Sequence, residues 1–182
     1  MPEYRRAKAT GGTYFFTVVT YERQAVLTES DVRQALRAGI QRARAILPFE
    51  SDAWVLLPDH LHCIWTLPAG DVNFPARWAV IKRHVSQCCH ERFGIKERAN
   101  DSRRKRKESA FWQRRFWEHR IRDETDFSRH VDYVHWNPVK HGYVGKAADW
   151  PYSTFHRHAA LGIYPIDWGG TGSETDDAEF GE

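Results

Sequence analysis

The sequence predicts an α+β fold in which an antiparallel sheet carries helices on one face. Three observations predict it. Residues 13–20 (TYFFTVVT) are β-branched or aromatic throughout, as in a buried strand. Residues 53–57 and 61–67 read as two further strands, and the turn signal Pro58-Asp59 between them makes a hairpin the natural geometry. Helical periodicities separate these from the remaining strand candidate. The resulting order is strand, helix, strand, strand, helix, strand, helix.

The elements follow in chain order. Gly11-Gly12 is a turn signal before the first strand. Ser30 is a good helix N-cap with Asp31 behind it, and Val32, Leu36, Ile40, Ala43 and Leu47 keep one face until Pro48 stops the helix. After the hairpin, Asn73 caps a second helix. Pro75 suits its first turn, and Trp78, Ile81, Val85 and either Cys88 or Cys89 form its buried stripe. Residues 92–109 are polar and contain Arg103-Arg104-Lys105-Arg106-Lys107, which predicts an exposed loop. Residues 111–121 (FWQRRFWEHRI) are a strand candidate with mixed signals. From Thr125 a third helix carries Phe127, Val131 and Val134 on one face, and Pro138 predicts a break at Asn137. Gly142 closes that region, and residues 150–166 form an aromatic C-terminal segment. Residues 1–166 read as one domain, and residues 167–182 as an acidic, disordered tail.

Composition bounds the function. At 182 residues the chain has room for one core. No run approaches 18 apolar residues and no apolar stretch follows the N-terminus, so neither a membrane span nor a secretory signal is expected. Three cysteines without a CxxC give no disulfide framework and predict a reducing, cytoplasmic setting. The net charge of +3 hides an asymmetry. Residues 167–182 carry six acids and no Lys or Arg, leaving a body with 27 basic and 18 acidic side chains, a net +9. Basic charge interleaved with 14% aromatic residues suits a nucleic-acid partner, and equally a basic surface over an aromatic core.

His60-Leu61-His62 is the sharpest chemical feature. Alternate strand residues share a face, so His60 and His62 point one way while Leu61 and Cys63 point into the core. Two imidazoles about 7 Å apart along a strand can reach one divalent ion. Asp59 is near enough to orient one ring. The plain alternative is a half-exposed strand with two polar histidines. Tyr133 and Asn137 are helical neighbours at i and i+4, which would present a phenol beside an amide oxygen. A surface tyrosine and a helix-terminal asparagine are the plain alternative there. Taken together, two histidines and an amide holding an ion beside a tyrosine suit transfer of a DNA phosphate to the phenol. Rival groupings are Tyr152 with His156 and His158, and a zinc-like set of His84, Cys88, Cys89 and His90. The spacing of the latter departs from structural zinc sites. His119 and His141 could contact phosphate when charged.

The run Pro-Asp-His-Leu-His-Cys-Ile-Trp-Thr-Leu-Pro (58–68) resembles the HUH motif of single-strand tyrosine transposases. His-Val-Asp-Tyr-Val-His-Trp-Asn-Pro-Val-Lys-His-Gly-Tyr-Val (130–144) resembles their tyrosine helix. Tyr-Arg-Arg (4–6), Gly-Gly-Thr-Tyr-Phe-Phe-Thr-Val (11–18) and Phe-Trp-Glu-His (116–119) are similar to the REP-associated subgroup. The likeness runs from about Tyr4 to Trp168. It implies a ferredoxin-like α+β fold and a divalent cation, Mg2+ or Mn2+. It also implies cleavage and joining of single-stranded DNA beside a hairpin through a 5′-phosphotyrosine. By the same resemblance His60, His62 and Asn137 hold the ion and Tyr133 is the nucleophile. Tyr4, Arg5, Arg6, Gly12 and Thr13 read nucleotides flanking the hairpin. Arg103, Arg104, Lys105, Arg106, Lys107, Arg114, Arg115 and Arg120 supply phosphate contacts by charge. The insertion at 103–107 departs from the subgroup's pattern. REP-associated members resemble monomers, with a dimer as the alternative. The competing functions are a non-cleaving protein that binds structured DNA or RNA, and a metal phosphodiesterase that uses water.

Overall fold

The computed structural model describes residues 11–91 and 111–170. Four antiparallel strands lie in the order β2-β3-β1-β4: β1 is Thr13–Val19, β2 Glu50–Leu56, β3 His60–Thr66 and β4 Trp117–Arg120. Helix α1 (Ser30–Ile46) crosses from β1 to β2, and α2 (Phe74–Cys89) crosses from β3 to β4. Each crossover skips one strand position. This is the split βαβ pairing of a ferredoxin-like sheet, as the resemblance implied. A third helix, α3 (Glu124–Lys140), follows β4, and a short α4 spans Phe155–Ala160. No helix among the described residues is long and apolar enough to cross a membrane.

The strands β1 and β3 are central and are buried on both faces, which explains why β1 shows no polar alternation. One face carries Tyr14, Phe16, Val18, Leu61, Cys63 and Trp65 against Val32, Leu36 and Ala43 of α1 and Trp78, Ile81 and Val85 of α2. The opposite face carries Phe15, Ala53, Val55 and Ile64 against Phe127, Val131 and Val134 of α3. The antiparallel α+β class therefore holds, while the expectation of helices on one face holds only for α1 and α2. With apolar residues on both sides of β1, the second face also needs a cover, and α3 supplies it.

The hairpin forms as expected, with the Leu57 amide donating to the His60 carbonyl at 2.9 Å across Pro58-Asp59. Asn73 caps α2 by accepting from the Ala76 amide. Cys89 is the buried thiol of that helix and Cys88 is exposed. Arg77 on α2 is also buried. It donates to the carbonyls of Leu47, Pro48 and Asn73 and to the Asp71 carboxylate, so it ties the end of α1 to the start of α2. A Cβ at Gly11 would fall 1.4 Å from the Leu67 carbonyl oxygen, so the turn needs a residue without one.

Two segments differ from expectation, and a third gains a structure that the sequence reading left unassigned. The strand candidate at 111–121 yields only Trp117–Arg120 as β4, since Phe111 and Trp112 turn inward to the core and Trp112 makes only a single bridge to Thr20. The break expected at Asn137 does not occur, because α3 runs through Pro138 to Lys140. Proline removes only its own N–H. The Asn137 and Pro138 carbonyls still accept from His141 and Tyr143, each at 3.0 Å. The aromatic C-terminal segment is partly helical. Its Tyr164 and Trp168 rings lie 5.6 and 6.0 Å from Phe155, and the Tyr164 hydroxyl donates to the Asp132 carboxylate of α3. Residues 171–182 lie outside the described residues.

Candidate active site

The alternation of β3 sends Leu61, Cys63 and Trp65 to the α1/α2 face and leaves His60 and His62 toward α3. Neither histidine is half-exposed: His60 is 2% and His62 0% accessible. Their ring centroids are 5.0 Å apart. Each ring is held through Nδ1. His62 Nδ1 meets the Thr17 hydroxyl at 2.9 Å across the β1–β3 register. His60 Nδ1 meets Asp59 Oδ1 at 2.6 Å. With Nδ1 engaged in this way, Nε2 is the nitrogen each imidazole could offer to a metal ion. Arg23 donates to the other Asp59 oxygen at 3.1 Å. Burial opposes the Asp59 charge, but the hydrogen bond and charge of His60, then those of Arg23, outweigh it and hold the carboxyl at about 2. The 3-10 turn that places Arg23 has left-handed backbone at Glu22 (φ 53°) and Arg23 (φ 50°), a strained pair for residues with side chains.

Helix α3 brings the other groups. Asp123 caps it by accepting from the Asp126 amide. The Tyr133 ring lies 5.3 Å from the His62 ring. Two turns later, the His141 ring lies 5.1 Å from His60. Asn137, one turn after Tyr133 on the same helix and one turn before His141, is fully buried. Tyr133 is buried as well, at 1% accessible. Two imidazoles and an amide oxygen form a donor set that suits a divalent ion retaining open positions, so the residues present fit such an ion. Lys140 had no place in the sequence reading. Its Nζ donates to the Tyr133 hydroxyl oxygen at 3.3 Å and sits 4.9 Å from the center of the ring. Only its spacing of seven from Tyr133 could have signalled this, and the break expected at Asn137 hid it.

A second grouping was also missed. His119 of β4 and Asp126 and His130 of α3 offer ligand atoms within 4.8 Å of one another, a set that could hold a metal. Here the atoms already bind each other. His119 Nε2 is 2.9 Å from Asp126 Oδ2, and His130 Nδ1 is 3.0 Å from Asp126 Oδ1 and 2.8 Å from the Asp126 carbonyl. The two rings stack 4.6 Å apart. Burial lowers the basicity of His130. The grouping thus ties β4 to the first turns of α3.

The rival groupings do not assemble. His156 Nε2 takes the Trp150 carbonyl, while Tyr152 packs beneath the Arg33 guanidinium. His84 and Cys88 meet at 3.6 Å, and among the described residues no third metal-binding side chain joins them. Of the expected DNA contacts, Arg114, Arg115 and Arg120 are exposed. Gly12 ends the turn before β1, and its carbonyl accepts from Leu67. Thr13 is buried, with its hydroxyl 2.9 Å from that of Thr66, so the sheet takes up its side chain. Tyr4, Arg5, Arg6, Arg103, Arg104, Lys105, Arg106 and Lys107 lie outside the described residues.

Known proteins can be set beside this geometry. No family model matches the chain. A REP-associated tyrosine transposase of Escherichia coli (strain K12) is 48% identical over 170 residues, covering 93% of this chain and 92% of its own. A Haemophilus influenzae relative is 44% identical over 175 residues, 93% of this chain and 94% of its own. A solved structure of a REP-associated tyrosine transposase bound to a REP hairpin superposes with a TM-score of 0.78 at 46% identity, covering 100% of this chain and 98% of that one. By sequence over nearly its whole length, and by fold, this chain belongs to the REP-associated tyrosine transposases.

Proposed function

We propose that this chain is a transposase that recognises hairpin DNA and cuts and rejoins the adjoining single strand, with Tyr133 as nucleophile and His60, His62 and Asn137 holding Mg2+ or Mn2+. The observation that carries the reading is the meeting of the Tyr133 ring with His62 and of the α3 end with His60, over one face of β3. A bound cation would polarise the phosphoryl group and offset charge on its oxygens. The residues do the rest. Asp59 and Thr17 fix the two imidazoles, and α3 holds the phenol against His62. Exposed Arg114, Arg115 and Arg120 attract the phosphate backbone. The phenolic oxygen attacks phosphorus, the bond to the 3′ oxygen breaks, and the alcohol is released with one proton. The ester so formed conserves the bond for rejoining. The phenol is buried, so strand entry is coupled to an opening of the site.

The test is a denaturing gel of the full chain with a labelled hairpin oligonucleotide and Mn2+. Wild type is expected to retain covalently attached DNA, while Tyr133→Phe binds the hairpin and retains none. An adduct on Tyr133→Phe overturns the nucleophile. Nicking without any adduct would favor hydrolysis by water. The burial of Tyr133 is the one observation that favors a protein that binds without cutting, and binding with no nicking by wild type would establish that reading instead.

A further inference from the structure

The stripe that carries Tyr133 and Asn137 does not end at Asn137. Because α3 continues through Pro138, residue 140 stays in helical register with residue 133, two turns on and on the same side. There Lys140 reaches back over the phenol, with Nζ 3.3 Å from its oxygen and 4.9 Å from the center of the ring. Lys140 is partly buried, so its charge acts through less water than a surface ammonium's does. A lysine in a last helical turn also complements the helix dipole, but that needs no contact with a particular oxygen.

We propose that Lys140 is a catalytic residue whose ammonium holds the Tyr133 oxygen and offsets the negative charge on it whenever the tyrosine–phosphorus bond forms or breaks. The proposal rests on the reading of Tyr133 as nucleophile. In the forward step the phenolic oxygen bonds to phosphorus, the phosphorus–O3′ bond breaks with its electron pair left on O3′, and the phenol's proton ends overall on that oxygen. In rejoining, the 3′ hydroxyl attacks, the tyrosine oxygen leaves with the electron pair, and the proton returns to it. The ammonium keeps its three protons throughout. One transition state serves both directions, so losing the charge slows both by one factor. Removing a single preorganised donor of this kind typically costs about 10²- to 10³-fold.

The experiment measures adduct formation and rejoining on a hairpin oligonucleotide with Mn2+, using the full chain. Lys140→Met is expected to slow both by about 10²-fold, with hairpin affinity unchanged. Lys140→Arg is expected to stay within about tenfold of wild type, as a cation is restored at the same place. Lys140→Ala is expected to recover when ethylammonium is added, since the small cation can occupy the vacated position. Wild-type rates for Lys140→Met overturn the proposal. So does a slow Lys140→Ala variant that neither ethylammonium nor the arginine substitution restores, because the lysine would then act only through the fold. If wild type forms no adduct, or Tyr133→Phe forms one, the nucleophile reading itself fails, which the Tyr133→Phe control identifies separately.

Discussion

The two faces of the sheet are built from the same strands and do opposite work. On the α1/α2 face, β3 presents Leu61, Cys63 and Trp65, and the Trp65 and Trp78 rings stack at 4.3 Å and 19°. Burial pushes the Cys63 thiol up, which keeps it unreactive. On the α3 face the same strand presents His62 to Tyr133 and His60 to His141 at the end of α3, and both histidines and the tyrosine are buried. Buried polar groups destabilise unless bonded, so that face relies on Asp59, Thr17 and Lys140 for its arrangement. A strand's period of two thus lets one seven-residue element anchor an apolar core and the candidate active site with no chain between them.

Substitutions can break or sharpen this contrast. The largest expected effect is on the α3 face. His62→Ala should lower adduct formation by about 10³-fold, the equivalent of several kcal/mol of lost charge stabilisation, with hairpin binding retained; the adduct gel checks it. Next is its counterpart on the other face. Trp78→Ala should destabilise the fold by about 3–5 kcal/mol in denaturant titration, yet leave adduct formation per folded molecule near wild type. Asp59→Asn lies between the two kinds, since it keeps the packing and removes the carboxylate that orients His60. It should weaken the Mn2+ dependence of cleavage by about 10- to 100-fold, as read from a metal titration.

Two smaller effects probe the edges of the α3 face. Burial, aided by the Arg157 charge, lowers His158 to about 4 against an ordinary 6.5, although the Asp52 carbonyl works the other way. The folded state therefore favors the neutral ring. The stability it contributes is complete above about pH 6.5 and is lost as pH falls through about 4. Melting curves from pH 7 to 4 should show this decline, and His158→Gln should flatten it. Smallest is Glu22→Gly. Relief of a left-handed backbone, offset by glycine's greater freedom when unfolded, should change stability by less than about 1 kcal/mol. That corresponds to a melting shift of at most about 2–4 °C.

What the sequence made legible was whatever a local pattern encodes. The β1 run, the Pro58-Asp59 hairpin, the Asn73 cap and the shared face of His60 and His62 all follow from neighbours within a few residues. The less legible features depend on contacts between distant segments. Arg77 is buried because the carbonyls at the end of α1 arrive from thirty residues away. The second helical cover follows from β1 being central, which its own run does not state. Pro138 looked like a stop because its local penalty is real, yet only one amide is lost and α3 is held by Val131 and Val134 in the core. That misjudged proline concealed Lys140. The grouping of His119 with Asp126 and His130 appears only once β4 is placed beside the start of α3.

Phe15 has a consequence of its own. Its fully enclosed ring touches His62 at 5.4 Å on one side and His130 at 4.9 Å on another. A benzene ring neither carries a proton nor offers a lone pair, so it acts as an insulator between two sets of imidazoles that share one side of a sheet. Exchanging it for tyrosine or histidine would put a polar, proton-carrying group between the two sets and couple their protonation.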